Sequence, residues 1–210
     1  MDDAALYSAW ADGDRARGAE LVGRYLHVVW RFFANKAPQS ADVEDLVATT
    51  FERCARSLGT LQKPDRFRSY LYGIAANVLR DHVRKRRPTG SDSLLEVAVA
   101  DLSPSPSAVA VHRQQERLLL EALRAVSLEH QLVLELSLFE DLSRAEIAEV
   151  LALPPGTVAG RLRRARILLE ERIHTLAENP ELRRSTTTSL DDWAKSIRTV
   201  LEATRQPEAD

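Results

Sequence analysis

A chain of 210 residues is long enough for one ordinary domain or two small ones, and its single cysteine, Cys54, rules out an internal disulfide or a cysteine-based zinc site. No apolar run approaches the roughly 20 residues needed to span a bilayer, and Met1-Asp2-Asp3 is acidic where a signal peptide would be basic, so a cytoplasmic protein without membrane insertion is expected. The formal net charge of −2 conceals segregation: Leu61 to Gly90 carries eight Lys or Arg against two Asp, Thr157 to Ile173 carries five Arg against two Glu, and acidic sequence lies between, which points to two separate contacts with a polyanion.

Ala4 to Trp10 reads as a short apolar helix, and Gly13-Asp14 as a break followed by an N-cap. Leu21, Val22, Tyr25, Leu26, Val29, Trp30 and Phe33 then keep helical spacing until Pro38. A third helix begins near Asp42, carries Val43, Leu46, Val47, Thr50, Phe51, Cys54 and Leu58 at three- and four-residue steps, and closes at Gly59. Cys54 is expected to be a buried small hydrophobe. Asp42, Glu44 and Asp45 crowd the first turn, where acids complement the helix dipole for about 0.3 to 1 kcal/mol each and equally suit a partner-binding patch.

From Phe67, the stretch FRSYLYGIAANVLRDHVRKRRP sets Leu71, Ile74, Ala75, Val78 and Leu79 on one apolar face and gathers Arg80, Arg84, Lys85, Arg86 and Arg87 towards its end. Phe67, Tyr70 and Tyr72 interleave with this basic surface, as rings that stack on unpaired bases would, although aromatics at helical spacing are also ordinary core. Pro88 to about His112 lacks sustained periodicity and reads as a flexible linker. Helical pattern resumes at Glu116, with Leu119, Leu120, Leu123 and Val126, then Leu132, Val133, Leu136 and Phe139.

Ser143 and Glu146 form a capping box at the start of a short helix that Leu153-Pro154-Pro155-Gly156 ends. Pro155 suits the first position of the next helix, whose apolar stripe is Val158, Leu162, Ala165, Leu169 and Ile173. Thr157, Arg161 and Arg164 line a separate face, and Arg161, Arg163, Arg164 and Arg166 precede any acid until Glu170. A short capped helix, a tight turn and a longer basic helix make the pattern of helix-turn-helix DNA binding. The expected fold class is all-α: a domain over 1–88, a flexible linker over 89–113, a helix-turn-helix domain over 114–177 and an extension over 178–210.

Taken together, Ala4 to Ile173 resembles the extracytoplasmic-function group of bacterial RNA polymerase sigma factors, through DVEDLVATTF at Asp42 to Phe51, FRSYLYGIAANVLRDHVRKRR at Phe67 to Arg87 and LSRAEIAEVLALPPGTVAGRLRRAR at Leu142 to Arg166. The resemblance implies that the first stretch docks on the polymerase clamp helices, the second melts and reads the minus-ten promoter element, and the third reads the minus-thirty-five element. Asp42, Glu44 and Asp45 would then contact polymerase, Asn77 would face promoter DNA with the basic run after it, and Thr157, Arg161, Arg163 and Arg164 would belong to the recognition helix. Ala48 and Thr49 stand where the family usually has Gln-Glu, Tyr70 replaces a usual Trp, Gly73 a usual Arg, and Ala159 and Gly160 stand where Lys and Ser are common.

The expected partners are core RNA polymerase and promoter DNA, with regulation by an anti-sigma factor or by the chain's own C-terminal helix. Within that extension, Ser189 and Asp192 form an acidic capping box, and Leu190, Trp193, Ile197, Val200 and Leu201 share one helical face, which equally suits docking on the C-terminal domain as an extension of its core. The competing readings are a stand-alone helix-turn-helix regulator that binds duplex DNA without polymerase, and a sigma mimic that traps an anti-sigma protein. His27, His82, His112, His130 and His174 are dispersed and none sits in a metal-binding or triad motif, so no catalysis, metal or cofactor is expected.

Overall fold

The computed structural model describes residues 1–37, 40–86 and 114–177. Among them the regular structure is helical throughout, and the fold is all-α. The order is α1 (Asp3–Ala11), α2 (Arg15–Ala34), α3 (Ser40–Arg56), a 3-10 turn (Pro64–Arg66), α4 (Phe67–Lys85), α5 (Gln114–Arg124), α6 (Leu128–Leu138), α7 (Arg144–Leu151) and α8 (Pro155–Leu176). Helices α1 to α4 make one compact unit; α5, α6 and α8, with the start of α7, make the other.

In the first unit the caps fall where the sequence places them. Asp14 Oδ1 accepts the N–H groups of Ala16 and Arg17 at 3.0 and 3.1 Å, and Gly13 at φ +103° turns the chain into that cap. Helix α3 ends at Arg56, and Gly59 follows at φ +82° with its N–H donating to the Tyr7 hydroxyl at 3.1 Å. Helix α2 ends at Ala34, and Pro38, the expected terminator, lies outside the described residues. The core is aromatic at its centre: the Phe67 ring lies 5.6 Å from Tyr7 and 5.4 Å from Tyr25, while Phe32 lies 5.3 Å from Phe33 and 5.7 Å from Tyr72. Phe67 and Tyr72 are therefore core residues and not stacking platforms for bases, because α4 turns both onto α1 and α2. Cys54 is fully buried, as expected, and burial pushes its thiol up to about 11.

In the second unit α8 packs against α5 and α6. All five residues of its expected stripe, Val158, Leu162, Ala165, Leu169 and Ile173, are buried. Helix α6 is buried on nearly every side, which explains the weak periodicity of LEHQLVLELSL; its buried Gln131 donates to Glu135 at 2.9 Å. The helix-turn-helix turn follows the expected grammar. The Ser143 N–H donates to Glu146 Oε2 at 2.8 Å and the Glu146 N–H to Ser143 Oγ at 3.3 Å. Ala152 adopts φ +52°, the Leu153 N–H closes onto the Ala148 carbonyl at 2.9 Å, and Pro155 opens α8. The linker 89–113 and the extension 178–210, including the Ser189 cap and the Trp193 stripe, lie outside the described residues.

Candidate nucleic-acid interface

Burial of the α8 stripe decides which side chains can reach a ligand. Thr157, Gly160, Arg163 and Arg164 are exposed on the side away from Val158, Leu162 and Ala165. Arg161 behaves differently from the other expected contacts. Its Nη1 lies 2.7 Å from Glu129 Oε2 in the first turn of α6, and only 25% of its side chain remains exposed. Along the sequence the basic half of α8 meets no acid before Glu170; in space α6 supplies one. The next residue, His130, is held below the ordinary imidazole range, first by burial, then by Arg161 and Arg164 against the opposing charge of Glu129. Ser127 Oγ lies 2.6 Å from His130 Nδ1.

The basic end of α4 is also laced with acids. Asn77 is exposed and its Oδ1 accepts a hydrogen bond from Arg80 at 2.9 Å. Asp81 takes both Nη groups of Arg53 on Oδ2 at 3.1 Å and Arg84 Nη2 on Oδ1 at 2.9 Å. Arg84 and Lys85 are exposed, and Arg87 lies outside the described residues. Arg86 pairs with Asp42 at 2.9 Å. His82 sits near this pair, and its imidazole is lowered first by burial, then by Arg86 and Lys85, with Asp42 opposing.

The three acids of α3 do not share one environment. Asp42 is largely covered, with 17% side-chain exposure, whereas Glu44 and Asp45 are exposed and continue through Ala48 to Glu52 along one open side of the helix. Sequence reasoning missed Glu129, His130 and Asp81. A helical-spacing argument could have flagged Asp81, which stands three residues before Arg84; nothing local marks Glu129 as the partner of Arg161.

Residues 21–89 match the family Sigma-70 region 2, and residues 116–169 match Sigma-70, region 4. The ECF RNA polymerase sigma-E factor of Escherichia coli (strain K12) is 31% identical over 187 residues, covering 84% of this chain and 96% of that protein. RNA polymerase sigma factor HrpL of Pseudomonas syringae pv. syringae is 31% identical over 162 residues, covering 75% and 88%. Among solved structures, CnrH in complex with the cytosolic domain of CnrY has a TM-score of 0.61 at 26% identity, covering 83% of this chain and 99% of that one. The sigma factor RpoE, solved with the anti-sigma factor NepR from Bartonella quintana, has a TM-score of 0.56 at 18% identity, covers 74% and 96%, and shares the fold. No described helix is long and apolar enough to cross a membrane. A stand-alone helix-turn-helix regulator would not require the N-terminal match, and the two matched regions follow in the order of the resemblance. The chain belongs to the extracytoplasmic-function sigma factors of bacterial RNA polymerase, which bind the core enzyme and direct promoter-specific initiation.

Proposed function

We propose that this sigma factor divides its work among residues 1–88, a linker over 89–113, a helix-turn-helix domain over 114–177 and a C-terminal extension over 178–210, acting in the cytoplasm without chemistry of its own. The first domain holds core polymerase through the open side of α3, where Glu44 and Asp45 lead, and faces the minus-ten element with Asn77, Arg80, Arg84, Lys85, Arg86 and Arg87. The second reads the minus-thirty-five element with Thr157, Arg163 and Arg164, with Arg161 beside them. The observation that carries this reading is on α8: a fully buried apolar stripe obliges the opposite side, with two exposed arginines in its first half, to face outward. Only the first turns of such a helix enter a major groove, and that is where those residues lie.

CnrH was solved in complex with the cytosolic domain of CnrY, which supports a protein partner, such as an anti-sigma factor, for this chain. Reconstitution with core polymerase tests the reading. The full chain should confer initiation at a specific promoter, and Arg164→Ala should reduce promoter affinity by about 1 to 3 kcal/mol if its contact is bidentate to a base. Unchanged affinity and salt dependence in variants of both Arg163 and Arg164 would remove α8 as the duplex-contacting helix.

A further inference from the structure

The buried stripe fixes the azimuth of each α8 residue. At about 100° per residue, Gly160, Arg163 and Arg164 lie on the side opposite Val158, Leu162 and Ala165, whereas Arg161 lies on the flank that meets α6. There its guanidinium stands 2.7 Å from Glu129 Oε2, with 25% and 21% of the two side chains exposed. That carboxylate oxygen is sealed from solvent and accepts no hydrogen bond, so the nearby cation is what offsets its burial. The His130 ring, next along α6, feels the charges of both Arg161 and Arg164. One is matched to a carboxylate and the other is exposed.

We infer that Glu129 is a positioning residue that limits the strength of promoter binding, by holding Arg161 as an internal ion pair and withholding its charge from the phosphates. The inference rests on α8 being the duplex-contacting helix. Neutralising a phosphate releases condensed counterions, and each phosphate contact adds about 0.9 to the slope of log affinity against log salt. A guanidinium already balanced by a carboxylate adds no net charge to that exchange. Arg161 would then brace α8 against α6, while Arg163 and Arg164 contribute the salt-dependent attraction. Glu129 is thus the group through which a substitution on α6, remote from any base, would retune affinity for every promoter alike.

The test is the salt dependence of promoter-duplex binding by holoenzyme assembled from core polymerase and the full chain. Arg164→Ala should reduce the magnitude of the slope by about 0.9, whereas removing the pair as a unit, Arg161→Ala together with Glu129→Gln, should leave it unchanged. Glu129→Gln keeps the side-chain size and a polar oxygen facing Arg161 while removing the negative charge. It should increase the slope magnitude by about 0.9 and tighten binding at low salt, and adding Arg161→Ala to it should restore the wild-type slope. If Glu129→Gln does not fold, the charge-free pair Glu129→Ala with Arg161→Ala decides, and its slope should equal the wild type's. A loss in the double variant equal to that in Arg164→Ala, or an unchanged slope in folded Glu129→Gln while Arg164→Ala responds, overturns the inference and leaves α8 as the DNA helix. Unchanged slopes in both Arg164→Ala and Glu129→Gln overturn both.

Discussion

Arg86, just past the end of α4, folds back onto Asp42 in the first turn of α3, its Nη2 2.9 Å from each carboxylate oxygen and donating a hydrogen bond to Oδ1. The pair ties two helices of the first unit together and separates Asp42 from the exposed Glu44 and Asp45. One acid of the expected polymerase patch therefore has a packing duty, and one arginine of the expected DNA patch is its partner.

Stability and polymerase binding should divide along that line. Asp42→Asn loses the charge opposite Arg86, and because Arg86 is still 41% exposed the cost is expected at about 1 kcal/mol, read from denaturant unfolding. The double change Glu44→Gln with Asp45→Asn should keep stability within about 0.5 kcal/mol and weaken binding to core polymerase. A double variant that binds polymerase normally would leave the open side of α3 without a role in docking.

Glycines within α2 should respond in opposite directions to alanine. A Cβ on Gly18 would fall 2.5 Å from Trp10 Cδ1, with the base of the ring also within 2.7 Å, so the indole must move and α1 with it. Gly18→Ala should destabilise by about 1 to 3 kcal/mol. At Gly23 nothing lies within 4 Å, and Gly23→Ala should stabilise by about 0.5 to 1 kcal/mol, the ordinary helix preference. Unfolding midpoints that move the same way for both would show that the Trp10 contact does not constrain the α1–α2 pair.

Mild acid should weaken the fold through its half-buried histidines. His27, His82 and His130 all sit below the ordinary imidazole value, with burial the first cause in each. Below about pH 6.5 the unfolded chain then binds more protons than the folded one, so stability is fullest above that value and falls as pH drops through it towards the depressed folded values. Beyond burial, Arg161 and Arg164 lower the His130 imidazole and Glu129 opposes them. His130→Gln removes its titration and should flatten part of the decline in unfolding free energy as pH falls through and below about 6.5. A stability that rises over the same acid range would contradict the burial of these rings.

The features legible in the sequence are those built from neighbours along the chain. The Ser143–Glu146 capping box, the Asp14 cap, Gly59 beyond α3 and Pro155 opening α8 each involve groups within a turn of one another, so residue type and spacing were enough to place them. The α8 stripe was legible for the same reason, since a period of 3.6 shows which side a helix must bury before anything is known of what covers it. Those local signals, with three motifs in order, also carried the family.

What the tertiary structure decided depends on which helices meet. Tyr72 and Phe67 sit in a basic stretch, yet α1 and α2 enclose them. Asp42 and Glu44 are two residues apart, yet only Asp42 meets the end of α4. Arg161 and Arg164 are one turn apart on α8, but packing on α6 brings a carboxylate to the first and leaves the second open to solvent. Charge pairing between helices falls off within a few ångströms and is set by the azimuth at which they dock, a quantity that composition and periodicity do not contain.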